Sequence, residues 1–288
     1  MKAKLIKAIR TGLTMISPEL NTRVNYWLVH RRWLNLKNPK TFEEKVLWLK
    51  LKDYIHNPLI IKCADKYLVR EYVEEKGCGA TLNELLGAYD SADEIPWDEL
   101  PERFVLKWNF GCGMNLIVRD KSKLDIAATT QKLNRWGETK YWLPFSEMQY
   151  KYAPKKLICE KFLEDKEGGK SLSDFKVYCF HGKPEAIMVM NDRGEELKRE
   201  FFDTEWTRLP NPEGKPAPEV ETPRPDCLEE MLEASRKLAE PFPFVRVDFY
   251  IVNGKLIFGE LTFTPAGGIY FAKTTVHGKD MGEFLHIP

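Results

Sequence analysis

Apolar residues recur at three- and four-residue spacing through 41–76 (TFEEKVLWLKLKDYIHNPLIIKCADKYLVREYVEEK), which predicts helices, and Thr41 with Glu44 forms a capping box at their start. From residue 104 the period shortens to that of strands: FVLKWNF, the glycine turn GCGMN, then LIVRD. Residues 121–150 return to helix and loop, and LICEKFL (157–163) reads as a buried strand. After the polar loop EDKEGGKSLSD comes FKVYCFHGKPEAIMVM, a hairpin turning at HGKP. Residues 210–226 hold six prolines and Gly214, an exposed connection. DCLEEMLEASRKLAEPF is a helix stopped by Pro241 and Pro243, and FVRVDFYIVNGKLIFGELTF is a last hairpin.

At 288 residues the chain can build one sizeable core or two small lobes sharing a cleft. Hydrophobic residues make up 43%, with eight Trp and sixteen Phe, which excludes a disordered or fibrous chain. No apolar run approaches the roughly 20 residues that cross a bilayer, and the N-terminus lacks a signal-peptide core, so a cytosolic protein is expected. The six cysteines are widely spaced and are read as reduced thiols. Charge changes the picture at one end. Residues 1–40 carry nine Lys or Arg and one acid, Glu19, although the net charge is only +1. In MKAKLIKAIRTGLTMI, Leu5, Ile6, Ile9 and Leu13 fall near helical spacing beside Lys4, Lys7 and Arg10. This helix either docks on the rest of the protein or turns Lys2, Lys4, Lys7 and Arg10 toward an anionic membrane or substrate. A sequence pI near 7.6, without a basic stripe of interleaved aromatics, argues against nucleic acid as partner.

The last hairpin plants Arg246, Asp248 and Glu260 in otherwise apolar strands, and a buried charge needs a partner. A two-residue Asn253-Gly254 loop would put Asp248 and Glu260 on opposite faces. A three-residue loop, Val252-Asn253-Gly254, is therefore the expected turn. It sets Arg246 across from Glu260, with Asp248 and Thr262 on the same face. Two carboxylates on adjacent strands suit Mg²⁺, which completes its shell with water and phosphate; the alternative is a buried Arg246/Glu260 ion pair. Upstream, the FVLKW strand brings Lys107 to Gly111-Cys112-Gly113, a turn whose N–H groups could cradle phosphate or merely join two strands. LICEKFLED offers Glu160, Lys161, Phe162 and Leu163 either as a hinge against an adenine edge or as a strand leaving the core. EGGKS (167–171) echoes the end of a phosphate-binding loop, but Glu164 stands where that motif needs glycine.

Taken in order, these segments resemble the ATP-grasp superfamily. CEKFL resembles the hinge of D-alanine:D-alanine ligase, and FVRVDFYIVNGKLIFGELTFTP its metal hairpin. The chain as a whole looks closer to the ATP-grasp family of teichuronopeptide and surface-polysaccharide synthesis. NPKTFEEKVLWLKLKD, ADKYLVREYV, FVLKWNFGCG, DFKVYCFHGKPEAI, REFFDTEW and the last hairpin carry that likeness, from about residue 38 to 263. The resemblance implies an α+β ATP-grasp fold, two lobes gripping ATP behind a helical N-terminal segment: 1–60 helical, 61–155 with the glycine-rich loop, 156–288 with hinge and metal hairpin. It implies phosphate contacts from Lys107, Gly111, Cys112 and Gly113, and adenine contacts from Glu160, Lys161, Phe162 and Leu163. Asp174 and Lys176 would hold ribose or phosphate, and Asp248, Glu260 and Thr262 would hold Mg²⁺. Arg246 and Lys107 would stabilise the charge that develops in catalysis. Thr262 replaces the usual asparagine, and FGCG replaces a commoner HGSG.

The expected activity is ATP-dependent ligation of a carboxylate to an amine through an acyl phosphate. By resemblance, an amino acid or peptide would be joined to a cell-surface polysaccharide or its precursor, in the cytoplasm or peripherally at the inner membrane surface. The rivals are a glycosyltransferase of the same synthesis, which commonly carries a D-x-D absent here, and an ATP-grasp-fold protein with a kinase or non-catalytic role.

Overall fold

The computed structural model of the chain describes residues 2–165, 172–192, 197–210, 221–270 and 275–287. The EGGKS loop and residues 211–220 of the proline-rich connection lie outside them. Helices come first, as the spacing predicts: α1 (Lys2–Ile16), α2 (Pro18–His30), α3 (Phe42–Lys52), α4 (Pro58–Ala64) and α5 (Val69–Glu75). Side chains set their ends. The Glu44 N–H donates to Thr41 Oγ1 at 3.4 Å and the Thr41 N–H to Glu44 Oε2 at 3.2 Å, the expected capping box of α3. Asn57 caps α4 ahead of Pro58, whose missing N–H costs nothing in a first turn.

Strands and short helices follow: β1 (Leu85–Tyr89), β2 (Phe104–Trp108), β3 (Asn115–Val118), α6 (Ile126–Gly137), α7 (Gln149–Tyr152) and β4 (Leu157–Lys161). Next come β5 (Asp174–Phe180), β6 (Lys183–Asp192), β7 (Leu197–Phe202), β8 (Arg208–Leu209) and α8 (Leu228–Ala239). The chain closes with β9 (Phe244–Val252), β10 (Lys255–Thr262), β11 (Thr275–Val276), β12 (Lys279–Asp280) and α9 (Met281–Phe284). One antiparallel sheet has the order β1-β4-β2-β3 and a second the order β10-β9-β5-β6-β7-β8. The turn expected at HGKP is His181-Gly182, with φ of 49° and 78°, a primed two-residue turn between β5 and β6.

Each large sheet has its own buried cluster. Phe104, Leu106, Trp108, Leu157 and Cys159 pack with Leu133 of α6 on the first. Val177, Ile187, Val247 and Phe249 pack with α8 and α3 on the second. Burial of a side chain such as Val247 or Phe249 contributes about 1.5–3 kcal/mol, enough to let the other face of the same strands carry charge. A smaller cluster joins Tyr26 and Leu34 to Leu47 and Ile269, seating α2 on α3. All six cysteines are unpaired. Among the described residues no helix is long and apolar enough to cross a membrane.

Candidate functional site

β9 and β10 join through Asn253 and Gly254 alone, with φ of 51° and 75°, and Val252 pairs with Lys255. The three-residue loop expected from the sequence is therefore wrong. A two-residue turn by itself separates Asp248 from Glu260. The ladder compensates at Gly259, a bulge between Phe258, opposite Phe249, and Glu260, opposite Asp248. Arg246, Asp248, Glu260 and Thr262 thus share a face as expected, but Arg246 lies across from Thr262, not Glu260. The backbone is crowded at the bulge: a Cβ on Gly259 would lie 3.1 Å from the Asp248 carbonyl oxygen and 3.2 Å from the Tyr250 ring, so one of them would have to give by a few tenths of an ångström. β5, on the other edge of β9, sets Lys176 beside Asp248 and Asp174 beside Tyr250.

Arg246 grips Asp248 at two points, Nε to Oδ1 at 2.7 Å and Nη2 to Oδ2 at 2.6 Å. Lys176 Nζ donates to the same Oδ2 at 2.7 Å and also contacts Asp174. Arg246 Nη2 donates to Thr262 Oγ1 at 3.1 Å, and Thr262 donates to Glu260 Oε1 at 3.0 Å. Lys66, between α4 and α5, stands 3.5 Å from Glu260 Oε2. Three carboxylates thus meet three cations. Burial would raise Glu260, but Lys66, Arg246 and Lys176 outweigh it and hold its carboxyl down to about 2. Burial, helped by Asp248, pushes Asp174 up.

These donors can be weighed as a cation site. They are hard oxygens on adjacent strands, which suits Mg²⁺. The Glu260 side chain keeps 34% of its surface open, so it is available as a ligand. Asp248 is 2% exposed with both oxygens bonded to Arg246 and Lys176. Among the described residues no group of three or more His, Cys, Asp or Glu is arranged to hold a metal. The donor set fits a cation that takes one or two carboxylates and completes its shell elsewhere; it does not form a full protein cage. Among the described residues Asp174 Oδ1 is buried without a hydrogen-bond partner.

The glycine loop spans 109–114 between β2 and β3, with Lys107 opposite Asn115. Gly111 and Gly113 have φ of 68° and 77°. A Cβ on Gly111 would fall 2.5 Å from the Tyr141 ring, whereas Gly113 meets nothing within 4 Å and is there for conformation alone. Cys112 is exposed, its Sγ 3.0 Å from Tyr141 Oη. Lys107 Nζ lies 2.8 Å from Glu160 Oε2, which also draws Asn83 at 3.4 Å. The Lys161 N–H donates to Glu84 O and its carbonyl accepts from Asn83, so in the hinge that residue's backbone edge is already engaged. Phe162 lies under the guanidinium groups of Arg103 and Arg119, at 5.4 and 5.1 Å. Leu163 is half-buried.

Lys66 is the residue that sequence reasoning missed. Its Nζ donates to Gly111 O at 2.5 Å while facing Glu260, tying the loop to the hairpin. It lies in ADKYLVREYV, where helical spacing makes a lysine look solvated; only the likeness of that phrase to a family pointed there. Arg70, 3.9 Å from Glu160 Oε1, was missed for the same reason.

A protein-family model described as TupA-like ATPgrasp matches residues 44–285. No curated protein matches the sequence. Among solved structures, the chain is similar to D-alanine–D-alanine ligase from Bacillus anthracis complexed with ATP, at 16% identity over 70% of this chain and 55% of that one, with a TM-score of 0.45. It is also similar to L-amino acid ligase from Bacillus licheniformis, at 13% identity over 73% of this chain and 45% of that one, with a TM-score of 0.46. The chain spans about half the length of these solved relatives.

Proposed function

The chain belongs to the TupA-like ATP-grasp family, and from that premise we propose that it is an ATP-dependent ligase joining a carboxylate to an amine. The observation that carries the reading is the cluster of Asp174, Asp248 and Glu260 balanced by Lys176, Arg246 and Lys66, with Lys66 linking it to a glycine loop with two left-handed glycines. A carboxylate oxygen attacks the γ-phosphorus of ATP, the bond to the β,γ-bridging oxygen breaks, and ADP leaves. The amine nitrogen then attacks the acyl phosphate carbon, phosphate leaves, and the new amide sheds a proton. Positioning and charge stabilisation do most of this work.

In this reading Lys107, Lys66 and the N–H groups of Gly111, Cys112 and Gly113 face the phosphates, and Arg246 steadies the charge on the transferred group. Glu160, Lys161, Phe162 and Leu163 flank the adenine; because the Lys161 backbone is engaged, the ring's edge falls to Phe162 and Leu163. The unpartnered Asp174 Oδ1 suits a ribose hydroxyl, with Lys176 beside it. Asp248, Glu260 and Thr262 would hold Mg²⁺, which when bound neutralises phosphate oxygens. Division at 1–60, 61–155 and 156–288 belongs to the same proposal. The separate buried clusters of the two sheets support it, with the adjustments that β4 is hydrogen-bonded into the first sheet and that α4 and α5 pack in the cluster of the second. A cytoplasmic setting and substrates of surface-polymer synthesis also belong to the proposal: an amino acid or peptide as carboxylate, and the amine of a sugar or growing peptide as acceptor. These rest on the family likeness of the quoted phrases.

ADP release measured across pooled amino acids and amino sugars tests the activity. Release should need both a carboxylate and an amine; Glu260→Gln should abolish it with the circular-dichroism melt little changed, whereas Asp248→Asn should abolish it and also melt earlier, because it leaves Arg246 and Lys176 buried without their partner. Variants that stay active but melt early would make these carboxylates ion-pair partners only, since breaking a buried pair costs about 3–5 kcal/mol. ADP release with a carboxylate alone would favour a kinase.

A further inference from the structure

α2 turns a largely polar side to the protein, with Tyr26 its one fully buried apolar side chain. The side turned to the protein carries Asn21, Thr22 and Asn25, all buried, while Leu20, Trp27 and Leu28 face solvent at 38–42% exposure. The buried amides have partners: Asn21 Nδ2 donates to Pro144 O at 3.1 Å and to Ser146 Oγ at 3.0 Å, and Asn25 Nδ2 to Asn21 O at 3.0 Å. α1 is seated the same way. Thr14 Oγ1 donates to Leu143 O at 2.6 Å and Arg10 lies over the Phe145 ring, leaving Leu5, Ile9 and Ile16 at 62%, 53% and 76% exposure. Apart from Tyr26 and Val29, which join the cluster with Leu47 and Ile269, polar contacts seat both helices, and most of their large apolar side chains are in water. Nine of the thirteen exposed large apolar side chains among the described residues fall within residues 5–33.

Apolar surface left in water costs about 25 cal/mol per Å², so a covering partner is expected, and charge selects which. Residues 1–40 carry nine basic residues and one acid, +8; with 44 basic and 43 acidic in all, the remaining residues carry 35 against 42, −7. A second copy seated on the same patch would bring +8 onto +8, because a two-fold contact is self-complementary. An anionic bilayer accepts both the apolar sides and the charge. At 15 and 13 residues the helices are about 22 and 20 Å long, short of the roughly 30 Å hydrocarbon core, so they suit the plane of the interface. Trp33, 68% exposed beside exposed Arg31 and Arg32, has the amphipathic ring and cations of an interfacial anchor. We propose that the α1–α2 hairpin with Trp33 is an in-plane anchor for an anionic membrane surface. Of the four basic residues expected to face a membrane, Arg10 instead turns inward, and the side chains of Lys2 and Lys4 lie outside the described residues. The anchor is independent of the ligase reading.

The full chain is sedimented with phosphatidylglycerol/phosphatidylcholine vesicles and with phosphatidylcholine alone, across a salt series. Binding should require the anionic lipid and fall steeply as added salt shortens the Debye length from about 10 Å at 0.1 M. Arg31→Glu with Lys37→Glu, and separately Ile9→Asp with Trp33→Asp, should each cut the partition coefficient about tenfold or more at an unchanged melting temperature. These positions are exposed, so folding should survive. The anchor is overturned if the intact chain ignores anionic vesicles, if it binds neutral ones equally, or if either pair of substitutions leaves binding intact. It is overturned too if light scattering finds a vesicle-indifferent dimer that Ile9→Asp splits.

Discussion

Asp65 sits one residue before Lys66, and its carboxylate does two jobs. Oδ1 accepts from the N–H groups of Tyr67 at 2.8 Å and Leu68 at 2.9 Å, and Oδ2 accepts from Asn109, which opens the glycine loop. Burial pushes Asp65 up to about 6, against the pull of Leu68, Tyr67 and Asn109. A carboxyl whose folded value lies above its unfolded one contributes stability while protonated and loses that contribution as pH rises through the window between them. Here that window runs from the ordinary aspartate value near 3.8 up to about 6. Asp65→Asn cannot titrate. In urea melts, the stability of wild type relative to Asp65→Asn should therefore fall between pH 4 and pH 7 by up to about 3 kcal/mol, at roughly 1.4 kcal/mol per pKa unit. A difference constant with pH would mean that Asp65 titrates normally. Residues of this kind were hidden in the sequence, because an acid or lysine between helices reads as solvated. Arg246, Asp248 and Glu260 were legible for the opposite reason: a charge inside an apolar strand is anomalous and asks for a partner.

At the scale of elements, the hairpin shows what alternation can and cannot decide. Val247, Phe249 and Leu261 marked the buried face correctly, so Asp248 and Glu260 had to share the other one. Two devices satisfy that demand, a longer turn or a bulge, and alternation does not tell them apart. The glycine inside β10 was the available signal, since glycine in a strand interior marks a bulge or a close backbone approach. Gly259→Val tests the device. Its side chain must displace the Asp248 backbone or the Tyr250 ring, costing about 1–3 kcal/mol, or the bulge must close and turn Glu260 to the core face. The melting temperature should fall by roughly 2–4 °C per kcal/mol, and ADP release should fall further than the folded fraction does. A variant with wild-type melting and turnover would show that the bulge is dispensable. Helix ends were easier to read: the Thr41/Glu44 box formed as expected because both partners lie within one turn. The face that α2 turns inward was not legible, since the groups that satisfy Asn21 belong to Pro144 and Ser146, more than 120 residues away.

Over the whole molecule, the two large sheets keep separate buried clusters, and at the site one side chain touches both halves of the candidate machinery. Lys66 Nζ donates to Gly111 O in the loop beyond β2 and faces Glu260 on β10 at 3.5 Å. It is the leading positive charge holding the Glu260 carboxyl at about 2, ahead of Arg246 and Lys176. A nucleotide lying between loop and hairpin would be felt by both through this lysine. Adding ATP with Mg²⁺ should therefore slow amide hydrogen exchange in residues 109–114 and in β9–β10 at one shared nucleotide concentration. Lys66→Met keeps much of the stem but removes the ammonium, so the loop loses its tether and Glu260 its strongest cationic neighbour. Losing a hydrogen bond to a charged group costs about 1.5–3 kcal/mol, so nucleotide affinity should weaken on the order of 10- to 100-fold. Protection of the two segments should also separate into different midpoints, because each would then meet the nucleotide through its own contacts alone. If both segments in Lys66→Met still gain protection together at the wild-type concentration, the coupling runs through other groups and Lys66 is only a neighbour of the site.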